Sequence, residues 1–414
     1  MLLALFFVVL TLLAAFLALQ AARLKAKQRP FRIYAVAFGI VFGYLLVEFP
    51  VTAYYGLSWA GTSFYVFDES GKTVHFDPIR GYIFTRQPSR WSHLINGRPE
   101  FVGWLQGNSQ GFPTRTDFGP ARPDASTRRI AVLGSSFSTG DYLEMNWPDR
   151  AQALAETSGE KLQLLNFSLD SVGLANWWSI LTRFVAPQNY QLDGIVFVVS
   201  EWDLEGKFAV AEHQGSHLTW RRCPSWDPKT YPTTLEEATA CPNSLTNAYI
   251  LSHSQFEQAL KKEWPPSIPR TEVRPALASQ VLDYFERLWD FRQEAPALSP
   301  RFDPEQARLM EDIRLFISSR KLPALVVFLP TRDRLVRSTW ENDPHRAETI
   351  AFAQKIGARF VDGSEAFANM PSKDIRKCFF PYDPHWNQNG SDRFAKFMLD
   401  LIPRGFPDQL QASR

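Results

Sequence analysis

The sequence predicts an α/β fold: a three-layer α/β/α sandwich with a parallel sheet, preceded by a two-helix transmembrane hairpin. Three observations carry that expectation. Five short, nearly continuous apolar runs recur between residues 130 and 363, as strands buried on both faces require. Helical patterns fall between them, and such alternation marks a parallel sheet covered by helices. The first 60 residues hold two long apolar stretches joined by a basic link.

The first stretch, MLLALFFVVLTLLAAFLALQ, is 20 residues without a charge, enough to cross a bilayer at a helical rise of about 1.5 Å per residue. The link AARLKAKQRPFR carries Arg23, Lys25, Lys27, Arg29 and Arg32, and the second stretch runs over residues 33–55. The positive-inside rule makes the link cytoplasmic, so everything after Tyr55 is expected on the extracytoplasmic (periplasmic) side. A cleaved leader would place its charges ahead of the apolar run, and here they come after it. Glu48 lies near the outward end of the second stretch. A carboxylate at depth needs a partner, so the position reads as snorkelling to the outer surface, with a facing helix as the other solution.

Residues 61–125 read as an extended, turn-rich lead-in. Residues 126–405 carry the sandwich. Its expected strands are IAVLG (130–134), LQLLNFS (162–168), GIVFVVS (194–200), ALVVFLP (324–330) and ARFVDG (358–363). NWPDRAQALAETSG comes after the first as a helix and NWWSILTRFV after the second. DPEQARLMEDIRLFISSR precedes the fourth, with Asp303 as N-cap, Pro304 in the first turn and Gln306 completing a capping box. The stretch 206–300 is too long for a simple crossover and reads as an insertion. It holds a helix in which Leu277, Val281, Phe285, Leu288 and Trp289 share a face. Cys223 and Cys241 bracket a Pro- and Thr-rich loop there; a disulfide suits an oxidising compartment, and two free thiols are the alternative. Cys378 is left over.

Composition excludes some functions. Charge is nearly balanced at a formal +2 with no basic stripe, which argues against nucleic acid as a partner. Zinc-ligand spacing and cofactor fingerprints are absent, so no metal and no cofactor is expected. The 33 Phe and 13 Trp read first as core and membrane-interface packing.

The chemistry sits in RIAVLGSSFSTGDYL, residues 129–143. A parallel strand delivers Ser135 and Ser136 at its carboxyl end, where ligands gather in open α/β sheets. A serine nucleophile needs a base. The tripeptide Asp-Pro-His occurs twice, at 343–345 and 383–385. The second comes after the last strand and precedes an amphipathic helix, SDRFAKFMLDLI, that would fix its position; the first reads as a helix cap. Asp383 can orient His385 through Nδ1, leaving Nε2 for the serine.

At these residues the chain resembles the SGNH (GDSL-type) hydrolases, over about residues 75–405. The lead-in DPIRGYIF and NSQGF, the block IAVLGSSFSTG and the block DPHWNQNG stand in that family's order. The resemblance implies Ser136 as nucleophile, with Asp383 and His385 completing a catalytic triad; Ser135 replaces the family's usual aspartate. It also implies an oxyanion hole from the Ser136 amide and from NFSLDSVGLAN, where Ser171 occupies the glycine's place and Gly173 lies two further on. The third block's asparagine is replaced by Trp202 in VSEWDLEG. Trp202 and Trp386 are the candidate substrate-binding aromatics, with packing as the default for Trp386, Trp177 and Trp178.

Two functions are compatible with these residues. One is a membrane-anchored serine esterase or O-acyltransferase acting on acylated glycan, commonly acetylated in this family, beside a membrane O-acyltransferase or another membrane complex. The other is an inactive SGNH-like domain serving as an assembly subunit of such a complex.

Overall fold

Apolar runs bonded on both edges bury both faces, and the three inner strands of a five-stranded sheet do so here. The computed structural model describes residues 2–57, 63–69, 74–95, 97–201, 203–204, 207–223, 228–245, 248–261 and 302–406. Two compact units are present, one built on the N-terminal helices and one holding the sheets.

In the first, helices α1 (Leu2–Ala26) and α2 (Arg32–Leu57) pack on each other. Phe7 meets Phe49 edge to face at 5.4 Å. Over 7–26 and 32–50 they are long and apolar enough to cross a membrane. Glu48 does not snorkel: it is 0% exposed, and the Tyr44 hydroxyl donates to its Oε2 at 2.7 Å. Pairing inside the hairpin replaces the expected escape to water.

In the second unit the lead-in forms strands β1 (Ser63–Asp68), β2 (Val74–Asp77), β3 (Gly81–Phe84), β4 (Ser89–Ile95) and β5 (Arg98–Leu105). Then come β6 (Arg128–Leu133), α3 (Ser136–Thr139), α4 (Trp147–Thr157), β7 (Leu162–Asn166), α5 (Leu174–Ser179) and β8 (Gly194–Val199). The insertion supplies β9 (Phe208–Gln214), β10 (His217–Cys223), α6 (Leu235–Thr239), β11 (Asn243–Leu245), β12 (Ala248–Leu251) and α7 (His253–Leu260). The chain closes through α8 (Pro304–Ser319), β13 (Ala324–Phe328), α9 (Arg332–Arg337), α10 (Pro344–Ile356), β14 (Arg359–Asp362), α11 (Ser372–Arg376) and α12 (Gln388–Gly405).

The central sheet runs β7-β6-β8-β13-β14, all parallel. Every residue of β8 and β13 is buried. All five expected strands are therefore present. Right-handed crossovers place α4 on one face, and once the strand order reverses, α5, α8 and α10 on the other. Accordingly α4 lies against α12, while α5 and α10 lie against α8. The capping box of α8 forms as the sequence predicts: Asp303 accepts from the Glu305 and Gln306 amides, and Gln306 reaches back to the Asp303 amide.

The lead-in and the insertion build a second sheet together, in the order β11-β10-β12-β1-β4-β5, with β9 on β10. β1 is parallel to β12, with Tyr65 opposite Ala248. The expected helix bearing Leu277 to Trp289 lies outside the described residues. Cys223 and Cys241 are bonded across the loop after β10, 18 residues apart. Cys378 is a free, buried thiol.

Two measurements check this cysteine arrangement. Thiol titration should find no reactive group in the native chain, one after unfolding and three after unfolding with reductant. Replacing both Cys223 and Cys241 by Ala should lower unfolding free energy by about 3 kcal/mol, the cost of releasing a loop of this length.

Candidate active site

The turn after β6 is set by two glycines. A Cβ on Gly134 would meet Ser138 Oγ at 2.5 Å, so only glycine lets α3 fold back this tightly. Gly140 ends α3 in the left-handed conformation at φ 57°. Between them the turn is pinned from outside: Trp147 Nε1 donates to Ser138 Oγ at 3.0 Å, and Asn166 Nδ2 to the Ser138 carbonyl at 2.9 Å.

The two serines at the strand end part company here. Ser135 is 5% exposed and donates to Asp203 Oδ2 at 3.1 Å, beside Ser200. Ser136 turns the other way. Its Oγ lies 2.6 Å from His385 Nε2, and His385 Nδ1 lies 2.5 Å from Asp383 Oδ1. The sequence-derived Ser136, His385 and Asp383 are thus in line, from positions 249 residues apart.

Local bonds explain why the Asp-Pro-His loop holds this shape. The His385 amide donates to Asp383 Oδ1 at 2.9 Å, closing a turn on the same oxygen that takes the ring. Asn387 caps α12 by accepting from the Asn389 amide at 3.0 Å. Arg332 Nη1 donates to the Phe380 and Pro381 carbonyls at 2.7 and 3.0 Å. The other Asp-Pro-His does what its surroundings predict: Asp343 caps α10, accepting from the His345 amide at 2.9 Å.

Charge around the imidazole is arranged for a base. Phe137 and Tyr142 flank the His385 ring, both centroids 4.8 Å away. Burial alone would lower the His385 pKa, but the charge and hydrogen bond of Asp383, then the charges of Asp170 and Asp203, raise it above its ordinary value. Burial opposes ionisation of Asp383 too, yet the His385 charge, its two hydrogen bonds and His93 bring that carboxyl down to about 2. Asp203 goes the other way. Burial pushes it up to about 7, against hydrogen bonds from Ser200 and Ser135 that favour the anion. Sequence reasoning stops at Trp202 and misses Asp203; the signal for it is a carboxylate at the end of a buried strand.

Ser171 adopts φ 58°, the left-handed region that favours glycine, at the place where the resemblance expects one. Gly173 is extended and caps α5. Next to Ser171, the Asp170 carboxyl is hydrogen-bonded to Asp141, which burial and the Asp170 charge push well up. That pair ties the segment after α3 to the Ser171 turn. Ser136 is the first residue of α3, so its amide has no acceptor within the helix.

Trp386 corrects one expectation. It is 1% exposed between Phe137 and Phe394, so it packs the core and does not line the site. Trp177 is equally buried, and Trp178 Nε1 donates to Asp312 at 2.9 Å. Trp202 lies outside the described residues. Beside the loop, a cavity of about 300 Å³ is lined by Glu100, Phe101, Tyr142, Phe380 and Asn387 among others. Among the described residues no group of three or more His, Cys, Asp or Glu could hold a metal.

No protein-family model matches the sequence. No curated protein matches it either. Solved structures do. A lipase/acylhydrolase from Enterococcus faecalis is 11% identical, covering 67% of this chain and 95% of its own, with a TM-score of 0.32. A catalytic mutant of an acetylxylan esterase from Geobacillus stearothermophilus is 8% identical over 70% and 98%, with a TM-score of 0.34. A GDSL-like lipase from Bacteroides thetaiotaomicron is 10% identical over 69% and 92%, with a TM-score of 0.31. The reading of the site rests on its own geometry.

The strained backbone gives a stability test. Ser171→Gly should raise unfolding free energy by about 0.5–1 kcal/mol in denaturant melts, and a branched residue such as Val should lower it by more than that.

Proposed function

We propose that the chain is a membrane-anchored serine acyl-ester hydrolase or O-acyltransferase of the SGNH type, working on an acylated glycan on the extracytoplasmic side. The observation that carries this is Ser136 Oγ at 2.6 Å from a His385 whose other nitrogen is held by Asp383. That geometry suits general-base activation of a hydroxyl.

The groups present define the steps. Ser136 Oγ attacks an ester carbonyl carbon while His385 Nε2 takes the hydroxyl proton. The Asp383 carboxylate stabilises the imidazolium that forms. The carbonyl oxygen becomes an oxyanion, for which the amides of Ser136, Ser171 and Gly173 are the candidate donors. The C–O bond to the leaving alcohol breaks, and His385 returns its proton to that alcohol. Water, or a sugar hydroxyl in the transferase case, then gives its proton to His385 and attacks the acyl carbon; the bond from that carbon to Ser136 Oγ breaks, and His385 returns the proton to the serine. Trp202 stands where the family has an asparagine donor; losing one such donor typically costs about 10²–10³ in rate.

Topology supports the compartment: α1 and α2 can span a bilayer, their connection is basic, and the body carries a disulfide. The cavity beside the loop, with aromatic rings and amides in its lining, suits a sugar ring. A membrane O-acyltransferase is the partner expected to supply or receive the acyl group. The absent asparagine favours the second reading, an assembly subunit without catalysis.

The full chain in detergent separates the two. A fluorophosphonate probe should label it, p-nitrophenyl acetate should be hydrolysed, and Ser136→Ala should lower both by about 10³-fold or more. A wild type labelled no faster than that variant is the assembly subunit. Because protonated His385 cannot take the serine proton and its pKa is raised, labelling should rise with pH along a limb whose midpoint lies above 6.5.

A further inference from the structure

The oxygen of Asp383 that His385 does not use faces the second sheet. Oδ2 lies 3.5 Å from the Tyr65 hydroxyl and 3.6 Å from His93 Nδ1. The same nitrogen is 3.1 Å from Glu100 Oε2. The other oxygen of Glu100 accepts the backbone amides of Tyr382 at 2.6 Å and Asp383 at 3.2 Å. The side chains of His93 and Glu100 are 6% and 3% exposed.

These contacts have one physical effect. A carboxylate turns easily about its last torsion, so a hydrogen bond to one oxygen alone leaves its plane soft. Glu100 fixes the peptides on either side of Tyr382, and His93 Nδ1 lies beside the other carboxylate oxygen. Glu100 and Asp383 are two buried carboxyl groups that would repel without a donor between them. His93 Nδ1 stands between them, within hydrogen-bond reach of Glu100, and when protonated it also favours the ionised form of Asp383. Ring stacking on Tyr65, centroids 4.4 Å apart, holds the His93 imidazole in place.

We propose that His93 and Glu100, carried by β4 and β5, are positioning residues that hold the Asp383 carboxylate in line with His385. The proposal rests on reading Ser136, His385 and Asp383 as a triad. It makes the lead-in, which lies outside the sandwich, part of the machinery: the second sheet reaches the nucleophile through a chain of Glu100, His93, Asp383 and His385.

The test uses the full chain in detergent and two variants. His93→Phe keeps an aromatic ring against Tyr65 and removes the donor. His93→Asn restores a donor close to the Nδ1 position. Two readouts are taken: the low-field proton resonance of the His385–Asp383 hydrogen bond, and the rate of fluorophosphonate labelling. His93→Phe should shift or broaden the resonance and slow labelling by about 10–100-fold, the size expected of a small misplacement. His93→Asn should recover both to within about 3-fold of wild type. A His93→Phe protein that melts lower yet keeps the wild-type resonance overturns the proposal and leaves His93 a packing residue. A resonance that moves in a chain the probe never labels upholds the positioning while removing the enzymatic reading.

Discussion

A parallel sheet whose strand order reverses has one place where neighbouring helices leave in opposite directions, and here that place is β6. β6 leads to α4 on one face and its neighbour β8 to α8 on the other, so their carboxyl ends open a crevice. With β8 and β13 wholly buried, polar side chains have room only at strand ends. Ser136 enters from β6, the Ser171 turn from β7, and Ser200 and Asp203 from β8. The Asp-Pro-His loop, carried in just before α12, closes the group.

Gathering so many acids in a low-dielectric spot costs several kcal/mol for each unpaired ion, so each must be matched or neutralised. The structure uses both routes. Asp383 is matched by His385 and His93, while Asp141 is pushed up against Asp170. Ser135 belongs to the same balance. Its hydroxyl donates to Asp203, whose pKa is already raised by burial. An aspartate at position 135 would set a second carboxyl against the first. The serine at that place is therefore consistent with the rest of the pocket, whatever its rate.

Much of this is legible in the sequence, for local reasons. Continuous apolar runs mark the inner strands because both their faces are buried, and the edge strand β14 is the shortest and most exposed of the five. Asp303, Pro304 and Gln306 mark a helix start through bonds spanning three residues. The two copies of Asp-Pro-His differ in the residues after them, and that difference separates the copy that caps a helix from the copy that meets Ser136. The features that sequence reasoning misses are non-local. The strands of the lead-in alternate too irregularly to stand out, and β1 finds its partner β12 only after the insertion. Depth along the helix puts Glu48 near water, but its partner Tyr44 sits one turn away, a spacing that sequence shows and depth does not. Nearness to a motif makes Trp386 a candidate for the site; the packing of Phe137 and Phe394 around it decides otherwise.

The pairing of β1 with β12 joins the lead-in to the insertion. Tyr65 meets Ala248 only once the insertion is made, and the central sheet has a closure of the same kind, β8 against β13 across that insertion. Glu100 and His93 ride on the second sheet, in β5 and β4. Ser136 and His385, 249 residues apart, come together by a longer closure still.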